Sequence, residues 1–75
     1  MEEDKQKEVW KYLQKSGDIL QPNLPPSPHH PKGRNAYAHI AICIKQKFGM
    51  SYKDIPNEKF DEVIRYIDFL VKNPN

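Results

Sequence analysis

The sequence predicts a small all-α domain of three helices, with a long proline-rich loop between the first helix and the second. Three observations lead to this fold class. Apolar residues recur at helical spacing in two stretches, on either side of a tight break at residues 48–56. A third stretch near the N-terminus carries a narrower apolar stripe, and no run of strand length alternates apolar and polar residues. At 75 residues, the chain is long enough for one domain with one small core.

The N-terminal stretch predicts a first helix over residues 4–16, which ends at Gly17. Val9, Trp10 and Leu13 form its apolar stripe. Trp10 is expected to anchor this helix, because one large aromatic ring can bury much area in a small core. Two interpretations remain open: the helix is the tail of a preceding unit, or it packs back onto the helices that follow.

A loop with extended, polyproline-like segments is expected at residues 17–33. Five of the chain's seven prolines lie here, which disfavours helix and central strand alike. A loop of this length in a compact domain is usually functional, disordered or a linker. The chain is therefore divided into an N-terminal amphipathic helix, a proline- and histidine-rich loop and a helix–turn–helix core, at residues 1–16, 17–33 and 34–73.

The second helix and the break after it have clear local signals. Asn35 is a favourable N-cap for a helix that ends at Phe48. Gly49 follows, where a helix C-terminus favours a residue that tolerates positive φ. Pro56 and Glu58 then indicate a new helix, because proline and an acid are both favourable in a first turn. The chain thus contains a helix–turn–helix in the loose sense.

The third helix, at residues 57–72, has the clearest apolar stripe in the chain, with charged residues on its far side. It is expected to pack on the second helix to form most of the core, while the first helix closes the remaining side. The expected core residues are Tyr37, Ile40, Ile44, Phe48, Ile55, Phe60, Ile64 and Ile67, together with Trp10 and Leu13.

Composition favours a non-catalytic protein of a reducing compartment. Cys43 is the only cysteine, which excludes an internal disulfide. No apolar run approaches the roughly 18 residues of a spanning helix, and the acidic N-terminus lacks the pattern of a signal peptide. We therefore expect a cytoplasmic location and no membrane partner. No glycine-rich phosphate loop, paired carboxylates of one cleft or nucleophile with a base at motif spacing occurs, so we expect neither an enzyme nor a cofactor.

The middle of the chain carries the strongest charge signal. Residues 19–53 hold five lysines or arginines and all three histidines but no acid, although the net charge of the chain is only +2. Such a stretch is typical of a surface for phosphates or for an acidic partner. A proline-rich loop beside a solvated helix face explains it equally well. The candidate nucleic-acid contacts are Lys32, Arg34, Asn35, Lys45, Lys47, Tyr52 and Lys53.

The break and the helix after it carry a further pattern. Phe48-Gly49-Met50-Ser51-Tyr52-Lys53-Asp54-Ile55-Pro56 is followed by Phe60-Asp61-Glu62-Val63-Ile64. This pattern, between Gly33 and Leu70, resembles the small C-terminal domain of phage antirepressor and Rha-type regulators over about half of the chain. The resemblance implies an all-helical fold, a place in prophage regulation inside a bacterial host cell, and contact with DNA. Residues 21–32 match no part of that pattern.

Protein binding or self-association is the alternative function. Exposed aromatic and apolar side chains tend to mark contact surfaces, and a chain this small cannot bury all that it has. A homodimer is the leading form, since two-fold dimers are the commonest oligomers. The proline-rich loop is also a candidate docking peptide. The side chains that cannot all be buried are Trp10, Tyr12, Tyr37, Ile42 and Tyr66.

The histidines and the cysteine raise the question of a metal site. His39 and Cys43 are four residues apart on one helix, a spacing that can chelate zinc, with His29 or His30 as further ligands. A structural site needs four ligands, however, and here the loop would have to supply them. We therefore expect a packed thiol and solvent-facing histidines rather than a metal site.

Overall fold

The computed structural model describes residues 1–25 and 34–74 of the chain. The described residues form three α-helices: α1 spans Glu3–Leu20, α2 spans Ala36–Phe48 and α3 spans Phe60–Lys72. Single 3-10 turns occupy Gln21–Asn23, Tyr52–Asp54 and Asn57–Lys59. No strand occurs in the described residues, so the predicted all-α fold with three helices is confirmed.

The limits of α2 follow from the predicted local signals. The Oδ1 atom of Asn35 accepts hydrogen bonds from the backbone N–H groups of Tyr37 and Ala38, at 3.0 and 3.1 Å. Gly49 ends the helix with φ at 77°, and its N–H donates to the carbonyl of Lys45 at 2.8 Å. Both predicted caps are confirmed. The third helix begins slightly later than predicted, at Phe60, because a 3-10 turn precedes it.

The predicted end of the first helix is wrong, because α1 continues to Leu20. Its buried positions recur every three or four residues through this extension, at Val9, Leu13, Ser16, Gly17 and Leu20. The helix stops where Gln21 and Pro22 enter a 3-10 turn, so the first residues of the predicted loop are helical as well. Gly17 therefore lies on a buried helix face and does not end the helix.

Gly17 allows α1 and α2 to approach closely. A Cβ atom at this position would lie 2.4 Å from Cδ1 and 2.6 Å from Cε1 of Tyr37, distances that real Cβ atoms do not show. The aromatic ring of Tyr37 occupies the space that any other residue at position 17 would fill. The Tyr37 hydroxyl then donates to the carboxylate of Asp18 on α1.

The core is centred on α1, which packs more extensively against α2 and α3 than these two helices pack on each other. This differs from the predicted arrangement, in which α1 only closed one side. It also settles the open question about the N-terminal helix, which is part of the domain. The buried apolar residues are Val9, Leu13, Leu20, Ala36, Ile40, Ile44, Ile55, Val63, Ile67 and Leu70.

The expected core residues fall into three groups. Ile40, Ile44, Ile55, Ile67 and Leu13 are buried as predicted. Four others are partly buried against that core, namely Tyr37, Phe48, Phe60 and Ile64. The expectation for Trp10 is wrong, since its side chain is 46% exposed. The buried stripe of α1 runs through the neighbouring Val9, and consecutive helix positions point about 100° apart.

α1 and α3 run in the same direction. The ammonium group of Lys5 lies 4.4 Å from the centre of the Phe60 ring, near the start of both helices. Further along, the Tyr12 hydroxyl donates to the carboxylate of Asp68. This hydrogen bond is the main reason why the pKa of Tyr12 is raised, with smaller contributions from burial and from the charge of Asp68.

The turn after α2 is fastened to the start of α1. The ammonium group of Met1 donates to the carbonyl oxygens of Lys53 and Ile55, at 2.8 and 2.6 Å. The backbone N–H of Glu2 donates to Oδ1 of Asn57 at 2.8 Å. Within residues 1–25 and 34–74, no helix has both the length and the apolar character that crossing a membrane requires.

We expect the Gly17→Ala change to destabilise the domain, although alanine favours a helix over glycine by about 1 kcal/mol. The added methyl group overlaps the Tyr37 ring, and forcing extra atoms into a packed site costs about 1–3 kcal/mol. Urea denaturation followed by circular dichroism should show a lower midpoint for the variant.

The control for this variant is the same change in a Tyr37→Ala background. There the ring is gone, only helix propensity acts, and Gly17→Ala should raise stability by about 1 kcal/mol. A stabilising effect of equal size in both backgrounds would show that the two helices do not meet at Gly17.

We expect the Tyr12→Phe change to cost about 1 kcal/mol at neutral pH, the usual net contribution of one hydrogen bond. The pKa of Tyr12 is higher in the folded protein than in the unfolded chain, where it is about 10. The stabilisation is therefore complete below about pH 10 and is lost as the pH rises through the pKa of the folded protein. Urea denaturation at pH 7, 9 and 11 should show the two proteins converging at the highest pH. In an Asp68→Ala background the change should have almost no effect; an undiminished difference there contradicts the assigned bond.

Candidate interaction surfaces

The described residues of the predicted nucleic-acid site lie in three different places. Lys45 and Lys47 are both exposed on α2, but residues two positions apart do not share a helix face. Tyr52 and Lys53 lie in the 3-10 turn beside the start of α1. Lys32 lies outside the described residues. The structure therefore does not gather these positions into one basic patch.

Arg34 and Asn35 make contacts within the domain itself. The guanidinium of Arg34 donates from Nη2 to Nδ1 of His39 at 2.9 Å and from Nη1 to the carbonyl of Pro25 at 3.4 Å. The side-chain oxygen of Asn35 accepts the two N–H bonds of the helix cap. Both residues thus help to position the start of α2.

The outer face of α2 is the solvent-facing side opposite the buried Ile40 and Ile44. Its centre is Ile42, whose side chain is 55% exposed. The helix contains no acidic residue, and its basic residues are both in the last turn. The exposed residues of this outer face are Asn35, Ala38, Ile42, Lys45 and Gln46.

A row of three aromatic rings crosses from the end of α2 to α3, and we call Phe48, Tyr66 and Phe69 the aromatic row. Phe48 and Tyr66 meet edge to face, with ring centres 6.1 Å apart and planes at 83°. Tyr66 and Phe69 are stacked, at 6.1 Å and 13°. Phe69 is 54% exposed. The ammonium group of Lys47 lies 5.8 Å from the centre of the Tyr66 ring, so this lysine borders the row.

The aromatic row continues into a cleft on the same side of the domain. Phe48 lines this cleft of about 370 Å³ together with Met50, Ile55 and Pro56. Three charged residues, Lys47, Lys59 and Glu62, also line it. A mainly apolar surface therefore extends from Phe69 to Met50, and charged residues of both signs lie along it.

Phe69 is exposed but is not among the contact residues predicted from the sequence. In α3 the buried positions are Val63, Ile67 and Leu70, and position 69 lies off that stripe. An aromatic residue outside an otherwise complete apolar stripe is the signal that identifies it as exposed. As predicted, the five side chains of the alternative function are not all buried. Trp10 and Ile42 are exposed, and Tyr12, Tyr37 and Tyr66 are partly buried.

His39 and Cys43 lie close together on α2, with Sγ 3.7 Å from Nε2. Burial lowers the pKa of His39, and the positive charge of Arg34 lowers it further. Burial also raises the pKa of the Cys43 thiol, although Arg34 opposes this effect. Both groups therefore favour their neutral forms at pH 7. Within the described residues no group of three His, Cys, Asp or Glu side chains is placed to hold a metal ion, and His29 and His30 lie outside them.

A second groove lies between α1 and the turn that follows α2, and we call it the α1 groove. It has a volume of about 340 Å³. The half-exposed Trp10 forms part of one wall, and the turn residues Tyr52 and Lys53 form the other. Glu3 and Lys7, which also line the groove, are 3.9 Å apart across one turn of α1. Gln6 completes the lining.

Comparisons of this chain with models of known protein families, with curated proteins and with solved structures find no match. The resemblance to the phage regulators rests on the residues between Gly33 and Leu70 and stays a prediction.

Proposed function

We propose that this chain is a non-catalytic interaction domain that associates with a second copy of itself through the aromatic row. The observation that carries this proposal is the exposed and stacked ring of Phe69, which joins Tyr66, Phe48 and the neighbouring cleft in one apolar surface. Large aromatic side chains are enriched at the centres of protein interfaces, where each contributes a large contact area.

The rings of the row are already ordered by contact with one another. Tyr66 is held between Phe48 and Phe69, so an approaching surface meets rings whose positions are restricted. Association then orders few additional side chains, which reduces its entropic cost. The charges at the border support pairing with an identical surface, because Lys47 and Glu62 have opposite signs and a two-fold axis presents each to the other copy.

A second function, DNA binding, is favoured by the outer face of α2. This face is exposed and carries no acid, and it combines Lys45 with the small or apolar side chains of Ala38 and Ile42. The major groove of DNA admits an α-helix, and apolar side chains there contact thymine methyl groups. Lys45 would neutralise a phosphate beside the groove.

Both activities suit the regulatory role that the turn motif implies. A place in prophage regulation and a location in the cytoplasm of a bacterial host belong to the proposal. In the proposed DNA-binding function, Lys45 keeps its predicted role as a phosphate contact. The proposed contact surface is the outer face of α2 alone, not the whole basic region predicted from the sequence.

For self-association, we expect the weight-average mass in sedimentation equilibrium to rise with protein concentration, and the Phe69→Ser change to reduce the rise. The variant removes an exposed ring, so the fold should be retained, and circular dichroism checks this. Ile42→Ser is the matched control, because Ile42 is equally exposed but lies on the outer face of α2. Monomeric wild-type protein at all concentrations, or equal effects of the two variants, would overturn the proposal.

For DNA binding, we expect an electrophoretic shift with random duplex DNA at low salt that fades at moderate salt, because displaced counterions drive the association. Lys45→Ala should weaken binding and reduce the slope of log affinity against log salt by about 1. Lys47→Ala is the matched control, since it removes the same charge from a different side of α2. Equal affinities of the wild type and the Lys45→Ala variant rule out this face as the contact.

A further inference from the structure

We propose that the α1 groove binds proline-rich peptides, and that residues 25–31 of a second copy supply one. This inference is independent of the aromatic row, because the α1 groove is built from α1 and the turn after α2. It assigns a ligand class to a surface that the proposed self-association and DNA contacts leave unused.

The lining of the α1 groove has the side chains that polyproline recognition requires. Proline-rich ligands dock in grooves lined by aromatic rings. Here Trp10 and Tyr52 supply the rings, from two different elements. A polyproline II backbone has no internal hydrogen bonds, so its carbonyl oxygens are open to donors. Lys7 and Lys53 supply such donors along the groove.

Both walls of the α1 groove are held in place before a ligand arrives. The Met1 ammonium bonds to the carbonyls of Lys53 and Ile55 attach the turn to the start of α1. The bond from the Glu2 N–H to Asn57 extends this attachment. A groove with fixed walls loses little conformational freedom on binding, which favours even a small contact area.

The chain itself carries a matching ligand sequence. Prolines occur at positions 22, 25, 28 and 31, every third residue. Polyproline II has three residues per turn, so prolines with this spacing lie along one edge of the helix. Pro22 is part of the 3-10 turn Gln21–Asn23, so the segment begins at Pro25. Residues 25–31 also contain no charged residue that would oppose the two lysines.

The distances favour a second copy as the source of this segment. Arg34 donates a 3.4 Å hydrogen bond to the carbonyl of Pro25, and the side chain of Gln21 donates to the Arg34 carbonyl at 2.5 Å. Pro25 and Arg34 therefore both lie beside the end of α1. At 1.5 Å per residue, Trp10 lies about 15 Å from Leu20 along α1, and the groove continues away towards Glu3. Eight residues join Pro25 to Arg34, and a chain of this length that leaves α1 and returns can reach at most about 15 Å from its ends. This reach is too short for the segment to lie along the groove of its own copy.

The test uses a synthetic peptide of residues 24–33 added to the full-length chain. Trp10 is the only tryptophan, so its fluorescence reports on the α1 groove directly. We expect a saturable shift to shorter wavelength as the indole leaves water. A peptide with Pro25, Pro28 and Pro31 changed to alanine should bind roughly tenfold more weakly or not at all. It lacks the pyrrolidine rings that would contact the groove, and alanine does not hold the backbone in an extended conformation as proline does.

Two protein variants complete the experiment. In calorimetry, Trp10→Ala should abolish peptide binding, and its folding is expected to survive because the side chain is half exposed. The Phe69→Ser variant should bind the peptide as well as the wild type does. Loss of self-association at the aromatic row can therefore be distinguished from loss of peptide binding in the α1 groove. No saturable shift, equal binding of the alanine peptide, or full binding by the Trp10→Ala variant would overturn the proposal.

Discussion

The close contact between Gly17 and the Tyr37 ring is the constraint on which the arrangement of this domain depends. A small domain has few apolar residues, and α1 has to bury one stripe against two other helices at once. It achieves this because its buried side includes Gly17, which lets α2 approach closely. The larger residues Val9, Leu13 and Leu20 then fill the space that α2 and α3 leave.

The parts of the fold that depend on local chemistry were predictable from the sequence. Asn35 caps α2 because its side chain reaches N–H groups two and three residues ahead, and Gly49 ends it because glycine tolerates positive φ. The role of Gly17 was not predictable in this way. A glycine after a serine also looks like a helix end, and only the position of Tyr37 in the folded protein shows that it is a packing site.

The surfaces were harder to predict than the core, because they combine residues from separate elements. Charge along the chain suggested one basic region, but helix geometry turns Lys45 and Lys47 to different sides. Trp10 was expected inside because it is large, whereas its neighbour Val9 holds the buried position. The α1 groove joins residues of α1 to Tyr52 and Lys53, and no sequence pattern links positions that are so far apart.

The parallel course of α1 and α3 has a consequence for how the domain fits into a larger assembly. Lys5 lies beside Phe60, and Tyr12 lies beside Asp68, so the two termini of the fold emerge at opposite poles. Domains that are inserted into the loops of host proteins generally have adjacent termini. This domain is less suited to such insertion, whereas a partner attached after α3 would leave the bonds of the Met1 ammonium group to the turn undisturbed.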